Sequence, residues 1–105
     1  MVENALVEKF DEDMLRIYQK ALSEANYNAT RFLQMLHEHR GLGTARILIH
    51  SPTVSEGYTA LWERRRLDLT VEAVIHDNPI WHPLFTQDEL AICTKRLTDY
   101  QYLRQ

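Results

Sequence analysis

An all-α domain of about six short helices is the fold this sequence predicts, with residues 1–105 as a single compact unit. Three observations carry that reading. Apolar residues recur at helical spacing through most of the chain. The one apolar run that could equally be a strand, around Ile47, has no partner strand to satisfy its backbone. Prolines, glycines and helix-start signatures divide the chain into short pieces joined by short links.

The first segment, Phe10 to Ala25, places Met14, Tyr18, Ala21, Leu22 and Ala25 on one face. Asp11 would cap it, Glu12 and Asp13 suit its first turn, and Phe10 and Leu15 would form a hydrophobic staple. Leu6 and Val7 extend the apolar stripe backwards, so an earlier start stays open. Asn28 would cap a second helix, Ala29 to His39, with Phe32, Leu33, Met35 and Leu36 inward and Gly41 ending it. Thr44 to His50 is the third, stopped by Ser51-Pro52.

Thr53-Val-Ser-Glu56 has the spacing of a capping box. It opens a fourth helix to about Arg65, with Tyr58, Leu61 and Trp62 on its inner face. After a short link, Leu67-Asp68-Leu69, either Thr70 or Asp68 caps a fifth helix through Val71, Val74 and Ile75. Pro79 and Pro83 prevent regular helix throughout the connector that follows. Thr86-Gln-Asp-Glu89 is a second capping box. Leu90, Cys93, Leu97 and Tyr100 mark the inner face of the last helix, which ends near Tyr100.

Composition narrows function by exclusion. The chain is 45% hydrophobic and 26% charged, as an ordinary globular domain is. Its formal charge is -3, whereas proteins that grip nucleic acid through phosphates usually have a basic balance. One cysteine forms no internal disulfide, which fits a reducing compartment. No apolar run approaches the roughly 18 residues of a membrane span, and the start, MVENALVEKF, is too acidic and polar for a signal peptide. The expectation is a cytoplasmic protein with no membrane partner.

No catalytic or metal constellation emerges. His37 and His39 sit two apart, so on a helix they point about 200° from each other and do not chelate one ion. His50, His76 and His82 lack cysteine or carboxylate partners at ligand spacing. His76-Asp77 could pair a base with an orienting carboxylate, but neighbours of this kind more often cap a helix end. Cys93 falls on an apolar stripe with no cation one turn before it. Gly41-Leu-Gly43 lacks the preceding strand and the following Gly-Lys-Thr of a phosphate loop. The sequence therefore points to no catalytic residue, no metal and no cofactor.

What remains is Arg64-Arg65-Arg66 at a helix end and Trp81 framed by prolines. Guanidiniums at a helix C-terminus suit the dipole and reach phosphate or carboxylate. An exposed tryptophan near arginine has the composition of an interface anchor. The expected partner-binding surface is Arg64, Arg65, Arg66 and Trp81, with Trp62 assigned to the core and Trp81 divided evenly between core and surface. The expected function is a non-enzymatic protein-interaction or regulatory module, binding a protein partner or a second copy. The alternative is a small nucleic-acid-binding module using the same arginines.

LWERRRLDLTVEAVI and HPLFTQDELAICTKRLTDY, with FDEDMLRIYQKAL and YNATRFLQML before them, give the chain a Leu-Trp-Glu…Leu-Thr-Val-Glu…Leu-Phe-Thr…Glu pattern. Over nearly its whole length it resembles small uncharacterised bacterial proteins. The resemblance implies an all-helical fold and brings no activity, so no functional residue follows from it.

Overall fold

The structure, a computed structural model, describes residues 2–103. Its helices are α1 (Val2–Ala25), α2 (Thr30–His50), α3 (Glu56–Glu63), α4 (Val71–Asp77) and α5 (Gln87–Asp99). Two 3₁₀ turns, Leu67–Leu69 and Pro79–Leu84, lie either side of α4. Arg40, at φ 61° and ψ -174°, breaks α2 into two arms. The result is six α-helical segments, as the periodicity predicts, and no strand among the described residues.

α1 takes the earlier of its two possible starts. Phe10, Met14, Ile17 and Ala21 form its buried stripe, while Leu15 and Leu22 face solvent. Met14 and Ala21 belong to both the expected and the observed stripe, but its centre lies towards Ile17 instead of Tyr18 and Leu22, a turn of roughly half the 100° per residue of a helix. With the helix already running at Phe10, neither the Asp11 cap nor the Phe10–Leu15 staple exists. Asp11 instead reaches across, and its carboxylate accepts the Gly41 N–H at 2.6 Å. That bond satisfies a donor at the start of the second arm of α2.

Gly41 has a different task from the one its position suggests. The left-handed residue is Arg40, and Gly41 is needed for close approach. A Cβ there would stand 2.7 Å from Asp11 Oδ1 and 2.9 Å from the Asp11 Cα.

The caps follow local chemistry. Ser55 rather than Thr53 caps α3, accepting the Tyr58 N–H. Thr70 caps α4 through the Ala73 N–H. Thr86 and Glu89 form the reciprocal capping box of α5. Asn28 does not cap α2, because its side chain accepts the Tyr18 hydroxyl at 2.9 Å, and Ala29 takes the cap position without a side-chain bond.

The main core gathers around Phe10. Its ring meets Trp81 edge-on at 5.3 Å and Phe85 at 5.6 Å. The proline connector makes this possible: as a 3₁₀ turn it aims residues three apart the same way, and Trp81 and Leu84 both point inward. Trp81, expected on the partner surface, is only 7% exposed. Trp62, assigned to the core, is 46% exposed. The reason is that α3 is a single short helix whose inner face is filled by Tyr58 and Leu61. One residue further round, Trp62 lies at the rim, edge-on to Tyr100 at 5.5 Å.

A smaller cluster of Tyr58, Leu67, Ala73 and Leu97 closes the other end, with Tyr100, Tyr102 and Leu103 against it. The Cα radius of gyration is 12.9 Å, matching the roughly 13 Å of a compact 100-residue domain.

Candidate interaction surface

Arg64, Arg65 and Arg66 form the turn that ends α3. The Arg66 N–H donates to the Leu61 carbonyl at 2.8 Å and the Arg65 N–H to the Trp62 carbonyl at 3.0 Å. These are the two bonds of a Schellman motif, with Arg65 in the left-handed position at φ 59° where glycine is usual.

Two of the three guanidiniums are committed inside the molecule. Arg64 Nε donates to the Ala25 carbonyl at 3.1 Å and Nη1 to the Ala60 carbonyl at 3.0 Å. It thereby joins the end of α1 to α3, and its guanidinium lies 5.0 Å from the Tyr27 ring centre. Arg66 binds Asp68 through Nε and Nη2, and Nη2 also meets Glu24 Oε1 at 2.8 Å. The Asp68 and Glu24 bonds hold its pKa above the ordinary arginine range. Arg65 is exposed and makes no side-chain hydrogen bond or ion pair among the described residues. The expected surface therefore divides: Arg65 is available, Arg64 and Arg66 are structural, and Trp81 is in the core. Trp62 is the exposed aromatic of the same turn, its carbonyl accepting the Arg65 N–H.

A cleft of about 360 Å³ lies behind this turn, between α1, both arms of α2, α3 and α4. Tyr27, which stacks on Arg64, also forms part of its wall. Glu72, 3% exposed, is the buried carboxylate of its lining. Its Oε2 accepts from Arg96 Nη1 at 3.0 Å. Burial pushes the Glu72 carboxyl above the ordinary carboxylate range, and its own backbone N–H and Arg96 offset this only in part.

Arg96 does more than neutralise Glu72. It donates to the carbonyls of Leu48, Ile49 and Ser51, and so closes the C-terminal end of α2 from a different helix. The Tyr58 hydroxyl donates to the Arg96 carbonyl at 2.9 Å, and burial, with Glu72 adding, pushes that phenol up. None of this network is visible in the sequence, where Glu72 reads as an ordinary first-turn acid and Arg96 as a solvated last-turn base.

The histidines are separately employed. His50 Nε2 meets Glu89 Oε2 at 2.7 Å, His76 Nδ1 meets Asp77 Oδ1 at 3.0 Å, and His82 Nε2 meets the Ile75 carbonyl at 3.0 Å. No group of three or more His, Cys, Asp or Glu side chains suited to a metal ion occurs among the described residues. Cys93 is fully buried, and burial, with Glu72 adding, pushes its thiol up to about 12. At neutral pH it stays protonated. No helix among the described residues is long and apolar enough to cross a membrane.

The chain matches no family model, and comparison with curated proteins and with solved structures finds no match. A functional reading therefore rests on the geometry of the arginine turn and the cleft.

Proposed function

We propose that this chain is a non-enzymatic protein-interaction or regulatory module whose contact surface is centred on Trp62 and Arg65. One observation carries the reading: the half-exposed Trp62 lies in the same helix-ending turn as Arg65, joined to it by the bond from the Arg65 N–H to the Trp62 carbonyl, and Arg65 is the arginine of that turn whose side chain has no internal partner among the described residues. Tryptophan and arginine dominate the energetics of protein contacts because each offers a large apolar face with a polar edge. The partner this pairing suits is a protein presenting a carboxylate next to an apolar hollow. Residence in the cytoplasm and kinship with the small bacterial helical proteins belong to the same proposal.

The nucleic-acid alternative loses support from the same geometry. Arg64 and Arg66 are held by carbonyls, an aromatic ring and two acids, which leaves one arginine of the turn for phosphate. Formal charge is -3 overall. A phosphate-binding surface draws on several cations at once.

The test is affinity capture from the native cell with wild type, Trp62→Ala and Arg65→Glu. A protein retained by wild type and lost in both variants, with unchanged helical circular dichroism, supports the surface. Equal retention by all three overturns it. Sedimentation of the purified chain covers a second copy as partner. A gel shift that weakens steeply with salt would instead return the nucleic-acid reading.

A further inference from the structure

We propose that the cleft behind the arginine turn binds a small uncharged amphiphile, an apolar chain or ring that carries a single hydroxyl and donates it to the Glu72 carboxylate. The inference is independent of the interaction surface above. It rests on size, on the hydrogen-bond accounting of the walls, and on the sum of the charges.

A volume of about 360 Å³ lies at the lower end of the roughly 300–1,000 Å³ of small-molecule sites. The walls include Ile17, Phe32, Met35, Leu48, Leu61 and Val71, which favour an apolar body. Part of the polar lining is already spent within the fold, while the Tyr27, Thr30 and Ser51 hydroxyls make no side-chain hydrogen bond among the described residues. Tyr18 donates to Asn28, Ser55 accepts from the Tyr58 N–H, Tyr58 donates to the Arg96 carbonyl, and Thr70 is bonded to Leu67 and Ala73. The Glu72 carboxylate is different. Its own backbone N–H favours the charged form, and among the described residues Arg96 is its only side-chain donor, through Oε2; Oε1 accepts no side-chain hydrogen bond, which leaves an acceptor on the one buried carboxylate of the lining.

Charge decides the head group. The ionisable liners are Arg31, Glu56 and Glu72, besides three tyrosines. Arg31 and Glu56 oppose each other, and Arg96 balances Glu72. The sum is near zero. An anionic head would face Glu72 and a cationic head would face Arg96, and either would lose its hydration without a net Coulombic return. A neutral hydroxyl loses little and gains a charge-assisted hydrogen bond.

Gly57 supplies the control. A Cβ built there meets nothing closer than 3.8 Å, the nearest atoms belonging to Ser55 and Tyr27 at the cleft wall. Gly57→Leu therefore fits at its first carbon and fills the mouth with its remaining atoms, at a helical position where leucine is favoured over glycine.

The experiment titrates the full chain with 1-octanol, octanoate and octylammonium by calorimetry, and follows methyl resonances by NMR. The expected result is saturable 1-octanol binding, with either charged homologue weaker by about tenfold or more. Shifts should concentrate on Met35, Leu48 and Val71, and binding should be lost in Gly57→Leu at an unlowered melting temperature. Absence of 1-octanol binding, equal or tighter binding of a charged homologue, or shifts away from these methyls overturns the proposal. None of these outcomes touches the Trp62–Arg65 surface, which the capture experiment tests separately.

Discussion

Thr44 is fully buried, and its hydroxyl has no hydrogen-bond partner among the described residues, a condition shared only with the Trp81 indole nitrogen. Burying an unpaired hydroxyl costs about 1–3 kcal/mol. Thr44→Val keeps the β-branched shape and removes the orphan, so urea denaturation should show a gain of about 1 kcal/mol. Glu89 poses the opposite balance. Burial pushes its carboxyl up, but the Thr86 N–H, His50 and Arg46 together outweigh burial and hold it below the ordinary carboxylate range. A folded pKa below the unfolded value of about 4.3 gives stability that is present above that pH and lost as pH falls through the folded value. Glu89→Gln should therefore be less stable at pH 7 and show a shallower loss below about pH 4 in thermal melts across pH. Individual side chains were the least legible level of this sequence. Trp62 meets solvent against expectation, and Trp81, open to either place, is buried, because exposure depends on what faces each ring, and neither neighbour is adjacent in the chain.

At the scale of elements, the helices themselves were readable. The capping signatures Thr70 and Thr86-x-x-Glu89 act within one turn and appear where their spacing puts them. Thr53-x-x-Glu56 shares that spacing but yields to Ser55, two residues on, because Pro52 and the bend after His50 set where α3 can begin. The tie between elements is Arg96. It joins the end of α2 to α5 and compensates Glu72 of α4. Arg96→Met leaves a buried carboxylate unpaired, and stability at neutral pH should fall by about 3–5 kcal/mol. Because the Glu72 carboxyl is already raised, the folded variant binds that proton more tightly than the unfolded chain does. The variant should therefore recover stability as pH falls from neutral towards the unfolded carboxylate value. The double variant Glu72→Leu/Arg96→Met should regain part of the loss, but not the capping bonds to α2. Chemical denaturation of the three chains across pH checks each sign.

For the molecule as a whole, the clusters around Phe10 and around Tyr58 are bridged by α4 and α5, which supply Val71, Val74, Ile75 and Cys93 to one and Ala73 and Leu97 to the other. Sharing two helices predicts a single cooperative unfolding transition. Trp81 fluorescence, measured in a Trp62→Phe background, should coincide with far-ultraviolet circular dichroism through that transition. Acrylamide should quench Trp62 in the native state and leave Trp81 protected.

By itself the sequence determined an all-helical class, six helical segments and most of the positions where they start. Those features depend on apolar periodicity and on hydrogen bonds reaching no more than about four residues along the chain. Only the tertiary structure decided which side of α1 is inside, that Trp81 closes the core while Trp62 meets solvent, that Arg65 alone of its run is available, and that Glu72 and Arg96 meet beside a cleft. A helix rotates about 100° per residue, so one position separates a core face from a rim. Which of the two is buried is set by partners that arrive from remote parts of the chain.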